Sequence, residues 1–398
     1  MANAAHSGDR LAYLADGRLY LKDGSAEPNE IRCTYAENLK QRTAELHQQN
    51  DWRHTDAGPV SEALALGAGV PDDGPLGTAI VAIAPSEKNT ELLYGLNTDD
   101  VAGIFLRPLH QNGDEKRLIH TNESNIHNLS APDEEGRVIC SISRLDGLQN
   151  LSIYRIGSPG LTEITEGDSL DAAASWVPGK DGQLVYQSAG IGRNSNGQWI
   201  ATGPASVEHL DTTRGKITTL LGDHQHDYLS PQISSDDKLY CIRRPYKGTG
   251  LLGLGGLAGG WLGAPSRIFS TILSWFSVRS TPEGDDRDVA PNDPTTDMGQ
   301  ILMPGNLIDV RQLREDAALR GEIDPDIVPR SWQLIETSAS EPSASEARIL
   351  ARGLIAFHVS AKGEIYYSNG SAIFKMPIGG GKAEEVQEVG NVQQILSL

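Results

Sequence analysis

One phrase recurs along this chain, and it restricts the fold more than any other feature. Asp171–Tyr186 reads Asp-Ala-Ala-Ala-Ser-Trp-Val-Pro-Gly-Lys-Asp-Gly-Gln-Leu-Val-Tyr: an acid, a short apolar run, a Pro/Gly/Asp turn and a second apolar run. Asp227–Cys241 is a variant, with Asp-Tyr-Leu-Ser-Pro-Gln-Ile, then Ser-Ser-Asp-Asp-Lys, then Leu-Tyr-Cys. His127–Cys140 is a third, turning at Pro132-Asp-Glu-Glu-Gly before Val138-Ile-Cys. Turn residues between short apolar runs specify hairpins. A hairpin repeated along a chain is the unit of a repeat architecture before it is a site.

The spacing sets the kind of repeat. Leu93, Ile139 and Val185 sit in matching strands about 46 residues apart, close to the period of a four-stranded propeller blade. The first unit begins at Thr78–Ala84 and the second at Asn128–Ser130. The third begins at Ala172–Val177, and the fifth runs from Gly353–Val359 to Glu385–Val389. In the fourth, Leu229–Ile233 and Leu239–Ile242 lead into a long insertion before Trp332–Ile335 resumes. The ends complement each other: Val392–Leu398 reads as an inner strand without successors, and the Leu11–Lys22 hairpin as outer strands without an inner one. The expectation is an all-β, six-bladed β-propeller closed by the N- and C-terminal strands, forming a single domain over 1–398. It carries a partly helical connector at 36–77 and an amphipathic, Gly-rich, partly helical insertion at 247–305. Closure would remove the open sheet edge that otherwise templates aggregation. A string of ordinary antiparallel sheets is the alternative.

Ser175-Trp-Val-Pro-Gly-Lys-Asp-Gly-Gln-Leu-Val-Tyr, with Leu161-Thr-Glu-Ile-Thr before it, resembles the WD40-like repeats of TolB-type β-propellers. Similar repeats occur in the propeller domains of prolyl-oligopeptidase-like peptidases. Gln187-Ser-Ala-Gly-Ile-Gly-Arg and Ile242-Arg-Arg-Pro-Tyr also resemble a bacterial set of such propellers. The resemblance covers most of the chain outside 36–77 and 247–305. It implies a fold and a habit of binding proteins or peptides, not a reaction.

Charge narrows the partners. Lys and Arg total 34 against 53 Asp and Glu, a net charge of −19, and that field repels a nucleic-acid backbone. The three cysteines, Cys33, Cys140 and Cys241, are widely spaced and form no C-x-x-C, so neither a zinc site nor a disulfide framework is indicated. The start, Met-Ala-Asn-Ala-Ala-His-Ser-Gly-Asp-Arg, lacks the basic and apolar regions of a secretion signal. These features together point to the cytoplasm.

The insertion raises the question of a membrane. Gly248–Ser266 carries no charge, but seven glycines between Gly250 and Gly263 disfavour a helix. A single span would also place the two halves of the repeat array on opposite sides of a bilayer. In Ser266–Arg279, by contrast, Ile268, Phe269, Ile272, Leu273 and Phe276 form one stripe at helical spacing, with Trp275 at its edge. Such a stripe suits a helix lying in a headgroup layer, or one packed on a partner or on the propeller itself. Peripheral membrane contact and partner docking are both open at this point.

Four constellations could carry chemistry. Gly167-Asp-Ser-Leu170 and Asp51-Trp-Arg-His54 match the letters of GDSL-type hydrolases, but in the reverse order, and Ser169 lies in a loop before the repeat phrase rather than on a strand-to-helix elbow. Asp223-His-Gln-His-Asp227 gathers two imidazoles and two carboxylates and could chelate a metal; a turn-capping loop is the plainer reading. Ala189-Gly-Ile-Gly-Arg-Asn-Ser-Asn-Gly197 resembles a phosphate cradle and half a calcium loop, but lacks the lysine and helix of the first and the carboxylates of the second; an extended hairpin loop is the plainer reading. Arg243-Arg-Pro-Tyr246 reads as guanidinium groups paired with carboxylates and a tyrosine covering an edge. The reading that results is a non-enzymatic interaction module without cofactor or metal, binding a protein or peptide. It would bind through the loops that lead into each blade, at His127, Asp168, Asp171, Arg193, His224, His226 and Asp227. The rival is a metal-dependent or hydrolytic enzyme built on the same His and Asp residues.

Overall fold

The repeated turn is what organises the strands. In a computed structural model, the described residues are 10–35, 37–38, 41, 79–86, 90–98, 101–109, 114–122, 124–144, 147–197, 199–247, 300–303, 306–309 and 328–398. Gly136, Gly182, Asp237 and Gly363 occupy equivalent turn positions, all with left-handed φ of 60–79°. The carbonyl of each accepts the N–H of a residue just beyond the unit's third strand, namely Ile156, Thr212, Ala339 and Ile378, at 2.9–3.0 Å. Thr90 does the same for Leu109 at 2.8 Å. One turn thus sets a hairpin and pins the next strand. Gly182 has a further reason to be glycine, because a Cβ there would lie 2.8 Å from the Thr212 hydroxyl.

The result is all-β. One sheet runs Ala79–Pro85, Glu91–Asn97, Ala102–Pro108 and Lys116–Thr121, in that order. A nine-stranded sheet contains two units. The first is Ser124–Leu129, Arg137–Arg144, Gln149–Arg155 and Leu161–Glu163; the second is Ser169–Trp176, Gln183–Arg193, Ser206–Asp211 and Lys216–Leu221, with Trp199–Thr202 pairing onto its long second strand. A single parallel contact, Gln149 with Leu170, joins the two. His226–Ile233, Lys238–Pro245, Gln333–Ser338 and Arg348–Arg352 form the next sheet, and Ala356–Val359, Glu364–Ser368, Ala372–Pro377 and Glu384–Glu388 the one after. The last joins the chain ends: Val392–Ser397 pairs antiparallel with Arg10–Ala15, followed by Arg18–Asp23 and Asn29–Ile31. Gln300–Met303 and Asn306–Asp309 form a separate hairpin within the fourth unit's excursion. The connector at 36–77 and the apolar stripe of the insertion fall almost wholly outside the described residues.

Units pack face to face with the units next to them in space, which is why their middle strands are apolar on both faces. In Arg10–Ala15, Ala12 and Leu14 pack with Ile83, Leu92 and Tyr94, whereas Leu11, Tyr13 and Ala15 pack with Tyr366 and Ile373. Val138 and Cys140 join Ala82 and Leu93, and Ile139 turns to Leu184 and Tyr186. Leu239 and Cys241 join Val185 and Val207, and Tyr240 and Ile242 join Phe357 and Ile365. Cys140 and Cys241 are therefore small core hydrophobes, and all three cysteines are buried free thiols.

Side-chain amides stitch the same neighbours together. Gln394 accepts from the Ile83 N–H at 2.8 Å and donates to its carbonyl at 2.7 Å. Asn97 makes the equivalent two bonds to Ile126, at 3.0 and 2.7 Å. Gln232 accepts from the Val359 N–H and donates to the Phe357 carbonyl. Asn128 and Gln187 receive the N–H groups of Ala173 and Ser230. These last two residues have φ of 50° and 52° and sit in bulges of their units' first strands. A bulge strips an N–H of its ladder partner, and here the neighbouring unit supplies the replacement.

Candidate functional site at the leading end of the strands

The first strands of neighbouring units begin at one end of the molecule. Gln149 meets Leu170 in parallel, and Tyr228 donates its N–H to the Ala205 carbonyl at 2.9 Å. Asp168, Asp171 and Asp223–Asp227 all lie at these starts. The long excursion after Pro245 leaves from the same end, since Pro245 pairs with His226.

Asp227 anchors that departure point. Its Oδ2 accepts from Arg244 Nε at 2.9 Å, and its Oδ1 accepts the Ala205 N–H at 2.9 Å. Both partners of the ion pair are buried. Burial pulls the Arg244 pKa below its usual range, opposed by the Asp227 charge. The Arg244 guanidinium also lies over Trp332, 4.7 Å from the ring centroid. Trp332 directly precedes the strand at which the excursion returns. At the departing side, the Tyr246 N–H donates to Gln225 O at 2.7 Å and its hydroxyl donates to the Thr202 carbonyl. Of the residues that flank the excursion, Tyr246 is thus held by the leading loops directly and Trp332 lies against Arg244, the partner of Asp227.

Next to this lies a polar cap. Asp223 accepts from the Gln225 and His226 N–H groups at 2.7 Å, from the Tyr228 hydroxyl at 2.6 Å, and faces His226 Nδ1 at 3.1 Å. Partial burial raises its pKa, but the four donors outweigh that and hold it at about 2. His224 is exposed beside it.

The remaining predicted positions form separate pairs. Asp168 receives Arg193 Nε at 2.8 Å, and Arg193 also donates to the Gly197 carbonyl, which props the projecting hairpin of residues 189–203. Asp171 is buried and accepts from the Ser188 hydroxyl at 2.7 Å. His127 Nε2 lies 2.7 Å from Ser143 Oγ; burial pushes its pKa down to about 4. The described contacts therefore unite Asp168 with Arg193, and Asp223 with His226. They tie Asp171 and Asp227 to other residues and keep His127 in its own pair. No three His, Cys, Asp or Glu side chains among the described residues are grouped to hold a metal ion.

Sequence reasoning passed over Asp223, Arg244 and Trp332 as site residues. The signal for the first two was present, in the pentapeptide and in Arg243-Arg-Pro-Tyr246. That for Trp332 was not, because it lies 88 residues after Arg244.

No family model matches the chain, and no curated protein matches it in sequence. Solved structures do match. A nidogen/laminin complex superimposes with a TM-score of 0.52 at 8% identity, covering 98% of this chain and 97% of that one. TolB from Acinetobacter baumannii gives 0.51 at 10% identity, covering 97% of this chain and 66% of TolB. At such identities the likeness is one of fold. This chain folds as a TolB-like β-propeller.

Proposed function

We propose that the chain is a non-enzymatic interaction module: six blades in a closed ring, binding a protein or peptide partner at the leading end, with the excursion at 247–305 docking to that partner or to a membrane surface. Six apolar clusters among the described residues, each shared by two neighbouring units, support the count. The pairing of Val392–Ser397 with Arg10–Ala15 supports the closure. One observation carries the functional reading: Asp227, Arg244 and Tyr246 root the chain's departure beside the leading loops, and Trp332, at its return, lies over Arg244. An insertion rooted next to the leading loops would form a composite docking face with them. The nidogen/laminin neighbour was solved as a complex of two proteins, an example of this general fold engaging a protein. Three buried free thiols accord with a cytoplasmic setting.

The enzyme alternative rests on the His and Asp residues of the leading end, and of these His127 lies beside a serine, Ser143. An imidazole with a pKa near 4 is a poor acceptor for a serine proton at neutral pH. Among the described residues no helix is long and apolar enough to cross a membrane; the membrane contact proposed for the insertion is peripheral because seven glycines between Gly250 and Gly263 disfavour a spanning helix.

The test compares proteins that co-purify with the intact chain and with a variant lacking 248–300, alongside flotation on vesicles with and without Trp275 and Phe276. The proposal expects a partner, or vesicle binding, lost on deletion while the fold persists. Identical co-purification and flotation after deletion would overturn the docking role of the excursion.

A further inference from the structure

Outer strands of a sheet offer unpaired backbone groups, and natural proteins protect them by shortness or charge. Most outer strands of this molecule follow that rule. Asn29–Ile31 and Leu161–Glu163 are three residues long. Lys116–Thr121 opens on Lys and Arg, Arg348–Arg352 has an arginine at each end, and Glu384–Glu388 carries three carboxylates.

Lys216–Leu221 departs from it. Its sequence is Lys-Ile-Thr-Thr-Leu-Leu, strand-forming and carrying one charge. Every residue from Thr213 to Thr219 is exposed, and Ile217, at 51%, is one of two exposed large apolar side chains among the described residues. It pairs on one side with Ser206–Asp211, and it is the end strand of its sheet. The ladder is regular from Lys216 to Thr219 and is interrupted by a bulge beyond.

We propose that this edge pairs antiparallel with the same edge of a second copy, joining two units into one continuous sheet about a two-fold axis. The occupant is argued from charge. On the neighbouring strand Glu208 lies opposite Thr219, and its carboxylate reaches over that residue to accept from the Thr219 hydroxyl at 2.9 and 3.1 Å. Antiparallel self-pairing over the four regular residues sets Lys216 of one copy opposite Thr219 of the other, and Ile217 opposite Thr218. Lys216 then meets the Glu208 carboxylate of the second copy, and symmetry makes this contact twice. A closed two-fold contact also uses up the edge, so growth stops at a dimer.

A four-residue pairing is small, so the dimer is weak and exchanging. Two bodies of charge −19 also repel, which makes association weakest at low salt and observable where the Debye length is about 8 Å or less.

The test is sedimentation velocity of the intact chain in 0.15 M salt, up to protein concentrations on the order of 100 μM. The wild type is expected to show a monomer–dimer equilibrium. Lys216→Glu and Glu208→Lys should each weaken it by about tenfold or more, and the double exchange should restore it. Circular dichroism of each variant keeps loss of dimer distinct from loss of fold, and Lys216 is exposed enough that its replacement leaves the fold intact. For register, oxidising a mixture of Ile217→Cys and Thr218→Cys chains should give more cross-linked dimer than either alone. A wild type that stays monomeric, a dimer unmoved by either charge reversal, or a double exchange that fails to restore it would each overturn the proposal.

Discussion

Asp227 and Arg244 form an ion pair of 2.9 Å with their side chains only 8% and 5% exposed. They stand at the start of one strand and the end of the next. The pair converts a turn-capping aspartate into the root of the excursion. Removing one partner strands the other charge out of water. Asp227→Ala is therefore expected to lower unfolding stability by about 3–5 kcal/mol, read from denaturant melts. Arg243→Ala, which removes bonds to Gln333 and the Ala344 carbonyl at a less buried position, should cost well under half of that.

The terminal strand is held by Gln394, whose amide makes two bonds to the Ile83 backbone across 311 residues of chain. Gln394→Leu leaves a buried N–H and C=O without these partners, at a cost of about 1–3 kcal/mol. The loss should appear as faster proteolysis at both chain ends together, since Val392–Ser397 and Arg10–Ala15 share one sheet. Loss at one end alone would count against a shared closing sheet.

Acid should act through two imidazoles before it acts through the cap. Burial pushes His127 and His358 from 6.5 down to about 4. Their folded-state pKa values lie below the unfolded value, so the unfolded chain binds more protons between pH 6.5 and 4. Their contribution is complete above 6.5 and is lost as pH falls to about 4. The denaturation midpoint should decline across that window, and His127→Gln with His358→Gln should flatten the decline. Asp223, held at about 2, contributes above its unfolded value near 3.8 and loses that contribution only as pH falls through about 2.

The repeated turn offers a matched pair. At Gly182, φ is 65° and a Cβ would meet the Thr212 hydroxyl; Gly182→Ala is expected to cost about 1–2 kcal/mol. Asp237 already holds the equivalent left-handed turn with φ of 60°, so Asp237→Gly should be close to neutral. Thermal melts of the two variants decide it.

Much of this architecture was legible because it is written in local signals. Gly136 and Gly182 mark turns, short apolar runs such as Val138–Ile142 mark strands, and the spacing of Leu93, Ile139 and Val185 reports the unit. The leading end was legible only in part. Asp168 and Arg193 were both singled out, yet nothing in their spacing said that they meet. Asp227 stands out in the sequence as a turn-capping and binding residue, but its ion pair does not, because the partner lies on the following strand among many arginines that could serve. The stitching amides of Gln394, Asn97 and Gln232 left no trace, since Asn and Gln are common on surfaces and only tertiary contact separates a stitch from a solvated side chain. The apolar stripe expected from Ile268 to Phe276 lies outside the described residues, and its role rests on the docking experiment.

The docking face is the central claim, and hydrogen exchange of the chain alone and with its co-purified partner tests it most directly. The account predicts slowed exchange at residues 188–203, 221–228 and 243–247, where the leading loops, the projecting hairpin and the root of the excursion meet. Protection confined to the opposite turns, at 131–136, 178–182 and 235–238, would contradict it.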